Sequence, residues 1–345
     1  MSTINRLDFT ISAPTHFQFT PAMSSSLTGI RIASENTSSI SPFIASPRTK
    51  AAWTAGDYFN TALKILFFPI TAIYYLLNYL CSKIAYSFGV GATNQVDTLK
   101  RDELKRLGGQ EVAFITEDKV QIEGMYFNNP RPERSAQTIL ICSGSHASYE
   151  KHTVPMVDAL QKLGHHVMVF NYRGFGKSAG SPSEEGFNLD VEAAYQYLQS
   201  VKGKSDHQIT VWGYSMGTAP ATGLAVNHRV KLVLDRYFSS MKDVAHDNGG
   251  LIANWIFHLG GAGFDIKEKI KQVQGQIFLA RGSYDTTMKP YHEEHLRSSL
   301  GSNGRASFVS VDSPHLHNSN MGLWFHSDNI ANNLHRAHLQ RFLQS

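Results

Sequence analysis

Residues Gly213-Tyr214-Ser215-Met216-Gly217 have the form G-x-S-x-G. A strand-like run, QITVW, leads into them, and a stretch of small residues compatible with a helix, MGTAPATGLAV, begins within them. On a sharp strand-to-helix turn such a serine is lifted above the sheet edge, and the free N–H groups of the helix N-terminus point at it. The glycines suit a turn that leaves little space between strand and helix. The chemistry this arrangement supports is nucleophilic attack on an acyl carbonyl. A serine hydroxyl is a weak nucleophile alone and needs a base and an orienting acid. The plainer alternative is a serine that only fills a turn between two glycines.

Other chemistries find less support. The 16 histidines invite a metal reading, and His292/His295 and His335/His338 fall at helical spacing. None belongs to an H-E-x-x-H, and none has an obvious carboxylate or thiolate companion, so no metal or other cofactor is expected. Charged residues are 17% of the chain, the net charge is +4, and no long Lys/Arg run occurs, which argues against nucleic-acid binding. The two cysteines, Cys81 and Cys142, make neither a disulfide framework nor a metal site.

The elements that must position Ser215 follow from the pattern along the chain of 345 residues. Residues 1–50 are rich in Ser and Thr without a sustained period and are expected to be a disordered tail. They lack the basic start and apolar core of a secretory signal. Residues 51–92 form an apolar region centred on YFNTALKILFFPITAIYYLLNYLCSKIAYSF (58–88), with no charge between Lys64 and Lys83. That run is close to the roughly 17–20 residues needed to cross a bilayer. Lys64, Thr71, Asn78 and Ser82 make a narrow polar stripe, and Pro69 would kink the helix. Membrane association, spanning or interfacial, is favoured over a helix packed on the catalytic domain, because the downstream domain is complete without it. The catalytic domain is then expected in the cytosol. Residues 93–108 read as a linker.

From residue 109 strands and helices alternate. EVAFITEDKVQIEGMYFNN reads as two strands around a turn at Glu117-Asp118. Further strands are expected at 137–143, 166–172, 208–213, 230–235, 276–282 and 306–312, with helices between them and one at the end. This β-α alternation with apolar strands predicts an α/β fold, a mostly parallel central sheet covered by helices on both faces.

Over 109–345 the chain resembles the α/β-hydrolase fold family. The segments that carry the likeness are NYRGFGKSAGSPSEEG (171–186), WGYSMG (212–217), LDRYFSSMKDVA (234–245), GFDIKEKIKQVQGQIFLARGSYD (263–285) and SPHLHNSN (313–320). Within the family it is most similar to membrane-anchored α/β-hydrolase-domain lipases and depalmitoylases, and more weakly to predicted hydrolases of intracellular bacteria. The resemblance implies the chain order serine, acid, histidine. Asp285, past the strand QIFLARG, matches the acid, with Asp235, ending VKLVLD, as the alternative. His317 in His317-Asn318 matches the base, with His315 as the alternative. The oxyanion hole would use the N–H of Met216 and that of Ser145, after Cys142-Ser143-Gly144, where relatives commonly carry His-Gly.

The function expected is therefore that of a serine hydrolase that cleaves ester or thioester bonds through an acyl-enzyme. The apolar, glycine-rich GGLIANWIFHLGGAGF (249–264), part of a possible small lid at 243–264, and the segment at 58–88 tilt the substrate toward lipids or acylated molecules. A serine peptidase on the same machinery, or an inactive membrane-tethered binding protein on this scaffold, are the alternatives.

Overall fold

The computed structural model describes Ala72, Leu76 and residues 98–133, 136–145, 148–247, 263–283, 285–301, 304–311 and 330–345. The serine-rich tail, the apolar segment apart from Ala72 and Leu76, most of the lid segment, and both His315 and His317 lie outside the described residues. Among the described residues no helix is long and apolar enough to cross a membrane.

Eight strands form one sheet in the order β1-β2-β4-β3-β5-β6-β7-β8. They are β1 Gly109–Ile115, β2 Gln121–Phe127, β3 Thr138–Cys142, β4 His166–Phe170, β5 Ile209–Tyr214, β6 Lys231–Asp235, β7 Ile277–Gly282 and β8 Ala306–Val311. The first two are an antiparallel hairpin, and β2 runs antiparallel to β4. From β4 to β8 all pairings are parallel. Every residue of β3 and β4 is buried, as expected for strands covered on both faces.

Helices α1 Thr98–Arg106, α2 Tyr149–His152, α3 Val154–Lys162, α4 Glu184–Ser200, α5 Thr218–Asn227, α6 Ile266–Lys269, α7 Tyr291–Leu300 and α8 Ile330–Gln344 flank the sheet. The core is split by the sheet into two clusters. One gathers Phe187, Val191, Leu198, Leu224 and Leu296 from α4, α5 and α7. The other gathers Leu104, Tyr149, Val157, Leu160 and Leu339 from α1, α2, α3 and α8. Local sequence sets the helix ends: the Ser183 side chain caps α4 by accepting the Gly186 N–H at 2.9 Å, ahead of Glu184 and Glu185 in the first turn. Part of the stretch read as a linker is α1, which buries Arg101 and Leu104.

The winding sets where a site can form. From β3 the chain moves to β4 on one side, then crosses back to β5 on the other side of β3. In parallel α/β sheets the crevice outside the carboxyl ends of strands at such a reversal is where ligands bind. Ser215 is the first residue beyond β5, and Ser143-Gly144-Ser145 leave the end of β3 beside it.

Candidate active site

Ser215 has a φ of 51°, the left-handed region that a residue with a Cβ rarely occupies. Such strain, of order 1–3 kcal/mol, persists only where the surroundings hold it, and it concentrates at functional turns. Here a single 3₁₀ turn, Ser215–Gly217, joins β5 directly to α5. The Thr218 hydroxyl donates to the Ser215 carbonyl at 2.5 Å and braces the turn. Both glycines of the motif are required by space. A Cβ on Gly213 would lie 2.6 Å from the Gly217 carbonyl oxygen and 2.6 Å from Thr218 Cα. One on Gly217 would strike the Cys142 carbonyl and stand 2.5 Å from that of Ser143. The small buried residues of α5 (Ala219, Ala221, Thr222, Ala225) let the helix lie close against the sheet.

The loop after β3 closes on this turn. A Cβ on Gly144 would be 3.4 Å from Ser215 Cβ and 3.1 Å from the Tyr214 ring, so Gly144 gives the loop its close approach to the serine. Met216 is buried, and Ser145 is partly exposed in the loop. Cys142, ending β3, is fully buried and burial pushes its thiol up to about 12, so it is no thiolate nucleophile.

Of the two acid candidates, Asp235 ends β6 in register with Tyr214. It is wholly buried, and Arg236 Nη1 stands 3.3 Å from each of its carboxylate oxygens. Asp285 lies past the end of β7, and its Oδ1 accepts the N–H groups of Thr287 and Met288, both at 2.9 Å. β7 is two strands from β5, about 10 Å in the pairing direction, so an imidazole from a neighbouring loop could bridge Ser215 to Asp285. Both carboxylates act on one neighbour. Burial pushes the Tyr214 phenol up to about 12, while Arg236 pulls it down and Asp235 and Asp285 push it up. The end of β8, from which the segment carrying His315 and His317 departs, is next to β7 on the same rim.

Two features escaped the sequence reading. Arg236 is buried with a φ of 51°, and its guanidinium sits 5.3 Å from the Tyr214 ring centroid. In sequence it is only a charge after an apolar strand. Ser239, His292 and Asp247 are a second set of triad residue types: Ser239 Oγ is 2.8 Å from His292 Nδ1, whose Nε2 is 3.5 Å from Asp247 Oδ2. Ser239 is wholly buried, and its own backbone N–H points at His292 Nδ1 at 3.2 Å, so this set ties the 241–247 helix to α7 and presents no nucleophile. His295 lies 3.7 Å from a different carboxylate, Asp243, which also accepts the Ser239 hydroxyl. Among the described residues no group of His, Cys, Asp and Glu is arranged to hold a metal ion.

The rare YRGFGKS stretch follows β4. Arg173 donates to Asp190 through its backbone N–H at 2.8 Å and its Nε at 2.9 Å, and reaches Asp118 at 2.7 Å. Gly174 (φ 77°) and Gly176 (φ 53°) make the turns between. This loop abuts the segment after β3 through Asn171, whose side chain accepts the Tyr149 N–H.

Comparison with known proteins agrees with this construction. The family model described as alpha/beta hydrolase fold matches residues 137–340. An uncharacterised protein of Mycobacterium tuberculosis is 34% identical over 137 residues, which cover 39% of this chain and 48% of that protein. The lysophosphatidylserine lipase ABHD12 of Gallus gallus is 27% identical over 158 residues, 41% of each chain. The match thus spans about half the length, or less, of these relatives. Among solved structures, an alpha-beta hydrolase from Vibrio vulnificus superposes with a TM-score of 0.61 at 22% identity, covering 78% of this chain and 92% of that one. The nucleophile-type turn at a sheet reversal, the sheet order and the family match lead to one conclusion: this chain belongs to the alpha/beta hydrolase fold family.

Proposed function

We propose that the protein is a serine hydrolase that cleaves ester or thioester bonds of lipid or acylated substrates. The observation that carries this reading is the left-handed Ser215, held between two obligatory glycines at the reversal of the sheet. In this mechanism His317 takes the Ser215 hydroxyl proton as Oγ attacks the acyl carbonyl. The N–H groups of Met216 and Ser145 receive the oxyanion, the largest electrostatic contribution in such reactions. His317 returns its proton to the departing alcohol or thiol, leaving an acyl-serine. It then deprotonates a water that releases the acid. Asp285 orients the imidazole and stabilises its cation.

The substrate class rests on the lipase relative and on the apolar composition of 58–88 and 249–264. In this reading residues 58–88 hold the protein at a membrane, with the catalytic domain on the cytosolic side. Full-length protein should co-sediment with phospholipid vesicles. Retention unchanged when Phe67 and Ile70 are both replaced by aspartate would remove that part.

The test of the activity is turnover on a panel of lipid esters, acyl thioesters and peptides by wild type and Ser215→Ala. Hydrolysis of esters or thioesters with an initial burst, absent in the variant, is expected. Hydrolysis of peptides alone would move the reading to a serine peptidase. Equal rates for both proteins would sink it.

A further inference from the structure

A buried polar hub lies beyond the reacting groups. Arg101 of α1 is nearly inaccessible, and its guanidinium meets three carboxylates. Nε donates to Glu111 Oε1 at 2.6 Å, Nη2 to Glu123 Oε2 at 2.6 Å, and Nη1 to Glu150 Oε1 at 2.7 Å. Glu150 is wholly buried and Glu123 is 7% exposed. Lys105 reaches Glu111 alone, at 3.3 Å. Among the described residues Arg101 is the one cation within ion-pair distance of Glu123 and Glu150. Asn171 completes the hub, with Nδ2 2.7 Å from Glu123 Oε1 and 3.3 Å from Glu150 Oε2, while its Oδ1 accepts the Tyr149 N–H at 2.9 Å.

The hub sits at the far end of the loop that leaves β3. That loop is fixed at its near end where Gly144 meets Tyr214 and Ser215. At its far end Ser148, Tyr149 and Glu150 are all wholly buried, and the Asn171 and Arg101 bonds hold them. Ser145 lies between the two anchors. Resting on the hydrolase reading above, we propose that Arg101 is a positioning residue: by gripping Glu150 it sets the loop so that the Ser145 N–H faces the oxyanion. A buried ion pair is a poor source of net stability, because desolvation offsets much of its attraction, and its best attested use is to fix one geometry. Three carboxylates approached in three directions suit the planar fork of arginine and not the point charge of lysine. The grip also ties α1, the element that follows the apolar segment, to the rim that carries the chemistry.

The experiment compares full-length wild type, Arg101→Lys, Glu150→Gln and a control, Asp206→Asn. Asp206 accepts from Gln199 at 2.9 Å just ahead of β5, at the opposite end of the sheet from Ser215. Each protein is assayed for cooperative melting, for kcat and KM on a soluble ester, and for the rate of labelling by a fluorophosphonate. Arg101→Lys and Glu150→Gln should melt cooperatively, lose about ten-fold or more in kcat and in labelling rate, and keep KM within about two-fold, as misplacement of one oxyanion donor would do. Asp206→Asn should melt lower with kcat unchanged. The inference is overturned if either hub variant, folded, is labelled at the wild-type rate, or if Asp206→Asn slows as much at equal loss of melting temperature. A wild type that is folded and never labelled sinks the hydrolase reading, and this one with it. The Glu150→Gln arm decides the matter if Arg101→Lys does not fold.

Discussion

Ser215 and Arg236 stand side by side, each the first residue past neighbouring parallel strands and each with a φ of 51°. Two adjacent non-glycine residues in this conformation concentrate strain on one short stretch of rim. Arg236 is braced by Asp235 and lies over the ring of Tyr214, the residue before the nucleophile candidate. The strained serine and the buried Asp235–Arg236 pair thus share one stretch of rim.

Replacing Arg236 by methionine should therefore be costly. It removes the cation facing a wholly buried carboxylate, which is worth roughly 3–5 kcal/mol when one partner alone is lost. Combining Arg236→Met with Asp235→Asn should recover much of that loss. Urea unfolding of the three variants checks it, and a double variant as unstable as the single one would contradict it.

The two acid candidates should separate by kinetics. Asp285→Asn is expected to lower kcat by about 10⁴-fold with little change in folding, the signature of an imidazole left in the wrong tautomer. Asp235→Asn should act chiefly on stability, because its carboxylate is held by Arg236. The reverse pattern, measured on one soluble ester, would make Asp235 the acid.

Acid should unfold the protein partly through His165. Its ring is buried, its Nδ1 accepts the Gln137 N–H at 3.1 Å, and burial pulls its pKa down to about 4. In the unfolded chain the imidazole titrates near 6.5, so between about 6.5 and 4 the unfolded state binds more protons. Stability from this residue is fully present above 6.5 and drains away as pH falls, by about 3 kcal/mol over the window. His165→Asn should flatten that part of the pH profile of the urea midpoint. An unaltered profile would show that the ring is charged in the folded state.

Much of the fold was legible in the chain because its strands are buried on both faces and so read as short continuous apolar runs, TILIC of β3 being the clearest. The serine turn was legible because its glycines answer to a local demand for space. Asp285 stands out as an acid candidate in the chain only through its place past β7. Helix α1 was not, since TLKRDELKR has no apolar face and docks through Leu104 and the buried Arg101. Nor were Arg101 and Arg236, because a cation in sequence looks solvated until its partners are known, and Glu150 is 49 residues from Arg101. The residues expected to supply the base, His315 and His317, lie outside the described residues.

One oxygen atom, the Ser215 Oγ, is expected to carry the reaction. Folded full-length protein is treated with a fluorophosphonate and digested, and the adduct is located by mass spectrometry in wild type, Ser215→Ala, His317→Gln and His315→Gln. A single adduct on the Ser215 peptide is expected, absent from Ser215→Ala, formed far more slowly in His317→Gln and at nearly the normal rate in His315→Gln. An adduct on another serine that persists in Ser215→Ala, or folded wild type that takes up no label, would contradict it.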